Sequence, residues 1–355
     1  TPPSEAARAW ATLLAAMSEQ GIDEPGAQLL AFRGMRTVTM IAGRRPFSAS
    51  ELETARSFLE RNAFDPIWLP DLREEELNRH NRLPSPIYHE LFTRLMTSFE
   101  DTIRDYDFNL RPPTDDRPYF FHYFRWRQTP EVLASLGLIW QPFGGSGYLV
   151  LVALLALVTA LAVVLILISR FATVRGGRLP LSGVAYFAAL GAGYLLVEIP
   201  LIQRLTLLLD RPALALGVVL SSLLLASGLG SRLSTRMPLR ATLAVLVVLL
   251  ALTVAILPTL VQIGLPWSLP ARLSLAIVPL LALGLLMGVP FASGLRRIEA
   301  SAIPWAWAIN GAASGISGVL AAMISLDLGI RAALSAGALS YLAAWFAARR
   351  LPPES

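Results

Sequence analysis

The chain changes character near Gly147. Before it the sequence is charged and punctuated by proline; after it come seven apolar stretches, at 148–169, 184–202, 213–229, 241–263, 274–294, 303–325 and 332–348. A helix crossing the hydrocarbon core of a bilayer needs roughly 17 to 25 predominantly apolar residues. The expected architecture is therefore an all-α membrane bundle of about seven helices preceded by a partial α/β segment. The expected boundaries are 1–127 for the soluble segment, 128–147 for an interfacial helix and hinge, 148–348 for the membrane module and 349–355 for the tail.

Charge follows the same division. Residues 1–146 carry 16 arginines against 20 acidic residues, whereas the remainder carries 14 arginines against five acids, Glu198, Asp210, Glu299, Asp327 and Glu354. A pI near 9.9 would ordinarily point to nucleic acid. Here the excess positive charge lies in short loops between apolar segments, so no nucleic-acid partner is expected; the partner is the lipid bilayer. One set of loops holds Arg170, Arg175, Arg178, Arg232, Arg236, Arg240, Arg296, Arg297, Arg349 and Arg350; the other holds Arg204, Arg211, Arg272 and Arg331. Cytoplasmic loops are enriched in positive residues. Ten against four predicts a cytoplasmic C-terminus and, with seven crossings, an extracytoplasmic soluble segment.

All 30 basic residues are arginine, and cysteine is absent. These absences remove disulfides, thiolate metal sites, a cysteine nucleophile, Schiff-base chemistry and a phosphate-loop lysine. His80, His89 and His122 are widely spaced without a metal-binding pattern and read as packing or surface residues. The chain begins at Thr1 without an initiator methionine or a signal-like segment, and reads as a piece of something longer.

Within the soluble segment, Ser4 is placed to cap a helix over 5–19 that stops at Gly21. Strands are expected at 28–32 and 37–41 about an Arg33-Gly34 turn, and a short one at 67–69. Ser48-Ala49-Ser50-Glu51 has the form of a capping box opening a helix to Arg61, and another helix is expected over 86–96. The stretch 106–126 is rich in aromatics and interrupted by prolines, and is expected to strap this segment to the membrane boundary. Residues 131–140 read as an interfacial amphipathic helix.

Several polar groups stand out. Asp115 and Asp116 form a candidate acidic loop, able to bind a cationic amine or act as a base; equally, Thr114 to Arg117 can be a plain turn. Glu198 lies inside the second apolar stretch, where an ionisable group is costly unless paired or hydrated, and it is a site hypothesis alongside a structural ion pair with Arg204. Gln203-Arg204 and Asp210-Arg211 are expected to share one polar cluster. Asn310 reads as an interhelical hydrogen-bond donor or a substrate ligand. Gly284/Gly288 and Gly311/Gly315 are GxxxG pairs that would let helices approach closely, within the chain, in a homo-oligomer or against other membrane subunits.

Taken in order, Arg44-Arg45-Pro46-Phe47, Thr114-Asp115-Asp116-Arg117-Pro118-Tyr119-Phe120-Phe121, Glu198-Ile199-Pro200-Leu201-Ile202-Gln203-Arg204, Ser227-Gly228-Leu229-Gly230-Ser231 and Trp305 to Gly311 resemble bacterial membrane-fused spermidine synthase-like proteins, over most of the chain. The resemblance implies the end of a class I methyltransferase-like, aminopropyltransferase-type domain joined to membrane helices. In that family decarboxylated S-adenosylmethionine sits on a Gly-rich loop and acidic residues earlier in the domain. Those positions have no counterpart here, so no cofactor and no catalytic residue is carried over, and Asp115 and Asp116 match a terminal motif only. The soluble segment has only Gly21, Gly26, Gly34 and Gly43 before residue 130, with no Gly-rich strand-to-helix turn to cradle a nucleoside. Three readings stay open: a membrane-anchored aminopropyltransferase-like protein, non-catalytic as given; an accessory or structural subunit of a larger membrane complex; and a transport or polyamine-binding protein using Glu198 and Asn310.

Overall fold

The computed structural model describes residues 3–130, 146–172 and 179–352, the side chains of 146 and 167–172 excepted. The interfacial helix expected over 131–140, most of the hinge, and the Arg175 and Arg178 loop lie outside the described residues. The chain forms two compact units, Thr1–Tyr148 and Leu149–Ser355.

In the first unit, α1 (Glu5–Glu19) is followed by β1 (Leu29–Arg33), β2 (Val38–Ala42), α2 (Ala49–Arg61), β3 (Asp65–Trp68), α3 (Ile87–Thr97) and α4 (Phe99–Asp105). The three strands make one sheet in the order β2-β1-β3, antiparallel at both pairings. Central β1 is a nearly continuous apolar run because both of its faces are covered. Leu29 and Ala31 join Trp10, Phe92 and Leu95 of α1 and α3, and Leu30 joins Leu52 and Leu59 of α2. Pro66, which cannot donate to a ladder, sits in edge strand β3 where that loss is tolerated. This is an α/β arrangement as expected, although its all-antiparallel sheet of three strands does not amount to a methyltransferase-like fold.

Local signals act as their chemistry requires. The Ser48 hydroxyl accepts from the Glu51 N–H, and the Glu51 carboxylate accepts from the Ser48 N–H at 2.8 Å, completing the capping box. Ser4 does occupy the N-cap of α1, but its side chain makes no capping bond there. Arg33 belongs to β1 rather than to the turn, and its guanidinium is buried.

The second unit is helical. Its helices are α5 (Ser146–Ala172, which starts in the first unit), α6 (Leu181–Leu209), α7 (Pro212–Leu233), α8 (Leu239–Gly264), α9 (Leu269–Leu295), α10 (Ile303–Leu328) and α11 (Ile330–Ala348). All seven contain segments long and apolar enough to cross a bilayer, making this a multi-pass membrane protein whose outer helix faces meet lipid. Helix α6 is central and packs on α7, α8, α9, α10 and α11. More than half of its apolar window, 56 %, is buried, against 6 % for α5. It also runs nearly two turns beyond the expected end at 202, carrying Arg204 inside the helix instead of a loop. Pro200 does not stop it, and Leu205 to Leu209 continue its buried apolar face.

Candidate functional site in the membrane bundle

The bundle is assembled by small residues that admit a neighbouring backbone. A Cβ at Gly191 of α6 would overlap the Asn310 carbonyl of α10, and one at Gly288 of α9 would overlap the Ser227 carbonyl of α7. Gly230 of α7 faces the Leu285 carbonyl in the same way. Polar side chains lock these crossings. Asn310 donates through Nδ2 to the Phe187 carbonyl at 3.1 Å, Ser314 donates to the Gly191 carbonyl at 3.0 Å, and the fully buried Tyr186 donates to the Pro290 carbonyl at 2.6 Å. Of the two roles open to Asn310 in the sequence, the observed contact is the interhelical one.

Glu198 is the acidic group enclosed by the bundle, 8 % exposed. Tyr194 lies one turn earlier on the same face of α6, close enough for its phenol and the carboxylate to interact, and Ser227 of α7 lies near that phenol. Tyr341 of α11, itself packed against Gly193, lies within electrostatic range of both. Arg204 is six residues further on, about 9 Å along the axis and turned well away around the helix. The expected Glu198 and Arg204 pair is therefore not the contact the carboxylate makes. Asn310 is not part of this site either, since it engages α6 at Phe187 and Gly191, about 10 to 16 Å before Glu198. Asp210 pairs instead with Arg272 of α9 at 2.6 Å, and that guanidinium also caps the Leu208 carbonyl at 3.1 Å. Tyr186, Tyr341 and Ser314 were missed at the sequence level, where the only signal was a hydroxyl within an apolar run.

Chemically, a buried carboxylate flanked by phenols can take a proton or a small cation, either of which removes the cost of an isolated charge at membrane depth.

In the first unit, Asp115 and Asp116 occupy a tight turn in which the Arg117 N–H donates to the Thr114 carbonyl at 2.9 Å. A cleft of about 490 Å³ lies between α2 and β3, lined by Arg56, Glu60, Phe64, Arg79 and His80 among others. Its charges are largely matched within the wall: Arg56 with Asp71 and Glu76, and Glu60 with Arg79. His89 contacts the Ile67 carbonyl at 2.8 Å through Nδ1 and stacks on Trp68. Behind this wall Asp65, 1 % exposed, accepts N–H bonds from Arg79, His80 and Asn81 and lies 3.5 Å from Arg33. Burial pushes the Asp65 carboxyl up, but the three backbone donors outweigh it and hold the group below its ordinary range.

No family model, curated protein or solved structure matches this chain.

Proposed function

We propose that this chain is the membrane-anchoring portion of a protein of the spermidine synthase-like, membrane-fused kind, non-catalytic as given and held in a bacterial inner membrane with its Arg-rich loops in the cytoplasm. The observation that carries the anchoring role is the position of the motif residues. Those that bear the resemblance within the membrane module, in the stretches around Glu198, Ser227 to Gly230 and Asn310, lie at helix crossings or at the polar contact between α6 and α7. Residues so placed hold helices together.

Four described glycines of the first unit favour the same reading. Cβ atoms at Gly26, Gly34 and Gly43 would meet Met96 and Trp68, Phe64, and the Arg45 carbonyl, and Gly21 terminates α1 at φ +78°. Each of these glycines serves packing or a turn, and none opens a backbone cradle toward a ligand. Calorimetry on the chain in nanodiscs with decarboxylated S-adenosylmethionine tests this: no binding heat is expected, and micromolar affinity would contradict it.

A second reading, an intramembrane site for a cation or polyamine, rests on Glu198 and its tyrosines alone. Spermidine binding that disappears in Glu198→Gln would favour that reading over a purely structural bundle.

A further inference from the structure

We infer that the aromatic strap at 120–126 is a lipid-interface contact, seated in the headgroup layer where α5 enters the bilayer. Tyr148 is the last residue of the first unit and the third of α5, and the apolar run of α5 begins beside it at Gly147. It is 5 % exposed, and rings of the strap pack against it. Phe124 stacks on it at 5.1 Å and 13°, Trp126 meets it edge-on at 5.6 Å, and the His122 ring lies 5.4 Å away. The strap is thus fixed to the first turn of a membrane-length helix, at the depth where hydrocarbon gives way to headgroups.

Its outer surface has the chemistry of that layer. Phe121 is 72 % exposed and Trp126 59 % exposed, a pairing that water disfavours and a headgroup layer accepts, because aromatic rings concentrate at membrane–water boundaries. Among the described residues, neither side chain belongs to a hydrophobic core cluster. Phe121 sits edge-on to Phe120 and Tyr123, which leaves its far face open. From behind, Arg8 of α1 fixes the strap by donating to the His122 carbonyl at 2.7 Å, with its guanidinium over the Tyr123 ring at 5.6 Å. Charge contributes little: Arg125 is committed to the Arg104 and Ile103 carbonyls, and Arg127 to the Asp105 carbonyl and the Asp107 side chain. The contact is accordingly aromatic insertion into a headgroup layer and does not depend on anionic lipid.

The absence of native cysteine makes the test direct. Phe121→Cys and Trp126→Cys, labelled with an environment-sensitive fluorophore, are placed in phosphatidylcholine vesicles containing headgroup or acyl-chain nitroxide lipids. Glu75→Cys, on an acidic exposed turn, gives the aqueous reference, and Val150→Cys in α5 gives the lipid reference. Labels at 121 and 126 are expected to emit at shorter wavelength than at 75 and to be quenched several-fold more strongly, most by the headgroup nitroxide, with no change when anionic lipid is added. Phe121→Cys decides the matter if Trp126→Cys lowers thermal stability by loosening Tyr148. Quenching at 121 equal to that at 75 overturns the proposal. So does a blue-shifted label that no lipid nitroxide reaches, since a protein surface would then cover the strap.

Discussion

Two carboxylates in the first unit show how position decides what an acid contributes. The buried Asp65 carboxylate terminates three backbone donors of the 79–81 turn, so Asp65→Ala leaves those donors and the buried Arg33 uncompensated, and a loss of about 3 kcal/mol is expected in thermal or denaturant unfolding. Glu51 is exposed, and the Arg45 guanidinium together with the Ser48 N–H lowers its pKa to about 2 from the ordinary 4.5. A lowered carboxyl pKa adds stability above the unfolded value. Its contribution to the start of α2 should be complete above pH 4.5 and fade as pH falls toward 2, a change absent from Glu51→Gln and readable from the Glu51 side-chain shift in a pH titration. In the membrane unit the relevant pair is Glu198 with Tyr194. Glu198→Ala and Tyr194→Phe should combine non-additively in detergent melting, whereas Glu198→Ala and Arg204→Ala should add to within about 0.5 kcal/mol.

At the scale of elements, the seven apolar stretches and the capping box were readable because span length and cap chemistry are local properties. The extension of α6 through Gln203 and Arg204 was not, because those two residues resemble a loop until packing supplies a buried face for Leu205, Leu208 and Leu209. The use made of each GxxxG pair was equally hidden. Gly284 and Gly288 are spent inside the chain against α7, while among the described residues nothing stands within contact distance of a Cβ at Gly311. The spacing is the same in both pairs, and only the fold distinguishes them. Gly288→Leu should therefore cost about 3 kcal/mol or prevent folding, while Gly228→Leu, in open space on the neighbouring helix, should leave the melting temperature within a degree or two. Glu198 was legible as an isolated acid, but its tyrosine partners come from helix periodicity and from α11, over 140 residues away in sequence.

At the scale of the molecule, the alternation of arginine along the sequence becomes a geometric fact. Arg296 after α9 donates to the Ser234 hydroxyl at 2.9 Å and carbonyl at 3.0 Å in the α7–α8 turn, and Trp345 near the end of α11 donates to the Arg240 carbonyl at 3.1 Å. Three described Arg-rich segments therefore share one end of the bundle. The Asp210 and Arg272 pair joins the α6–α7 connection to the first turn of α9 at an arginine-poor end. The two ends are separated along α8 by 26 residues, about 39 Å, enough to cross a membrane. Thr235 and Ser268, both exposed, flank that helix, whereas Ser234 is buried under Arg296 and would report poorly. Thr235→Cys and Ser268→Cys, made singly and treated with an impermeant thiol reagent on intact cells and on inverted vesicles, test the membrane architecture most directly. Ser268→Cys is expected to label on intact cells and Thr235→Cys only on inverted vesicles; labelling of both from one side would contradict the seven-span arrangement.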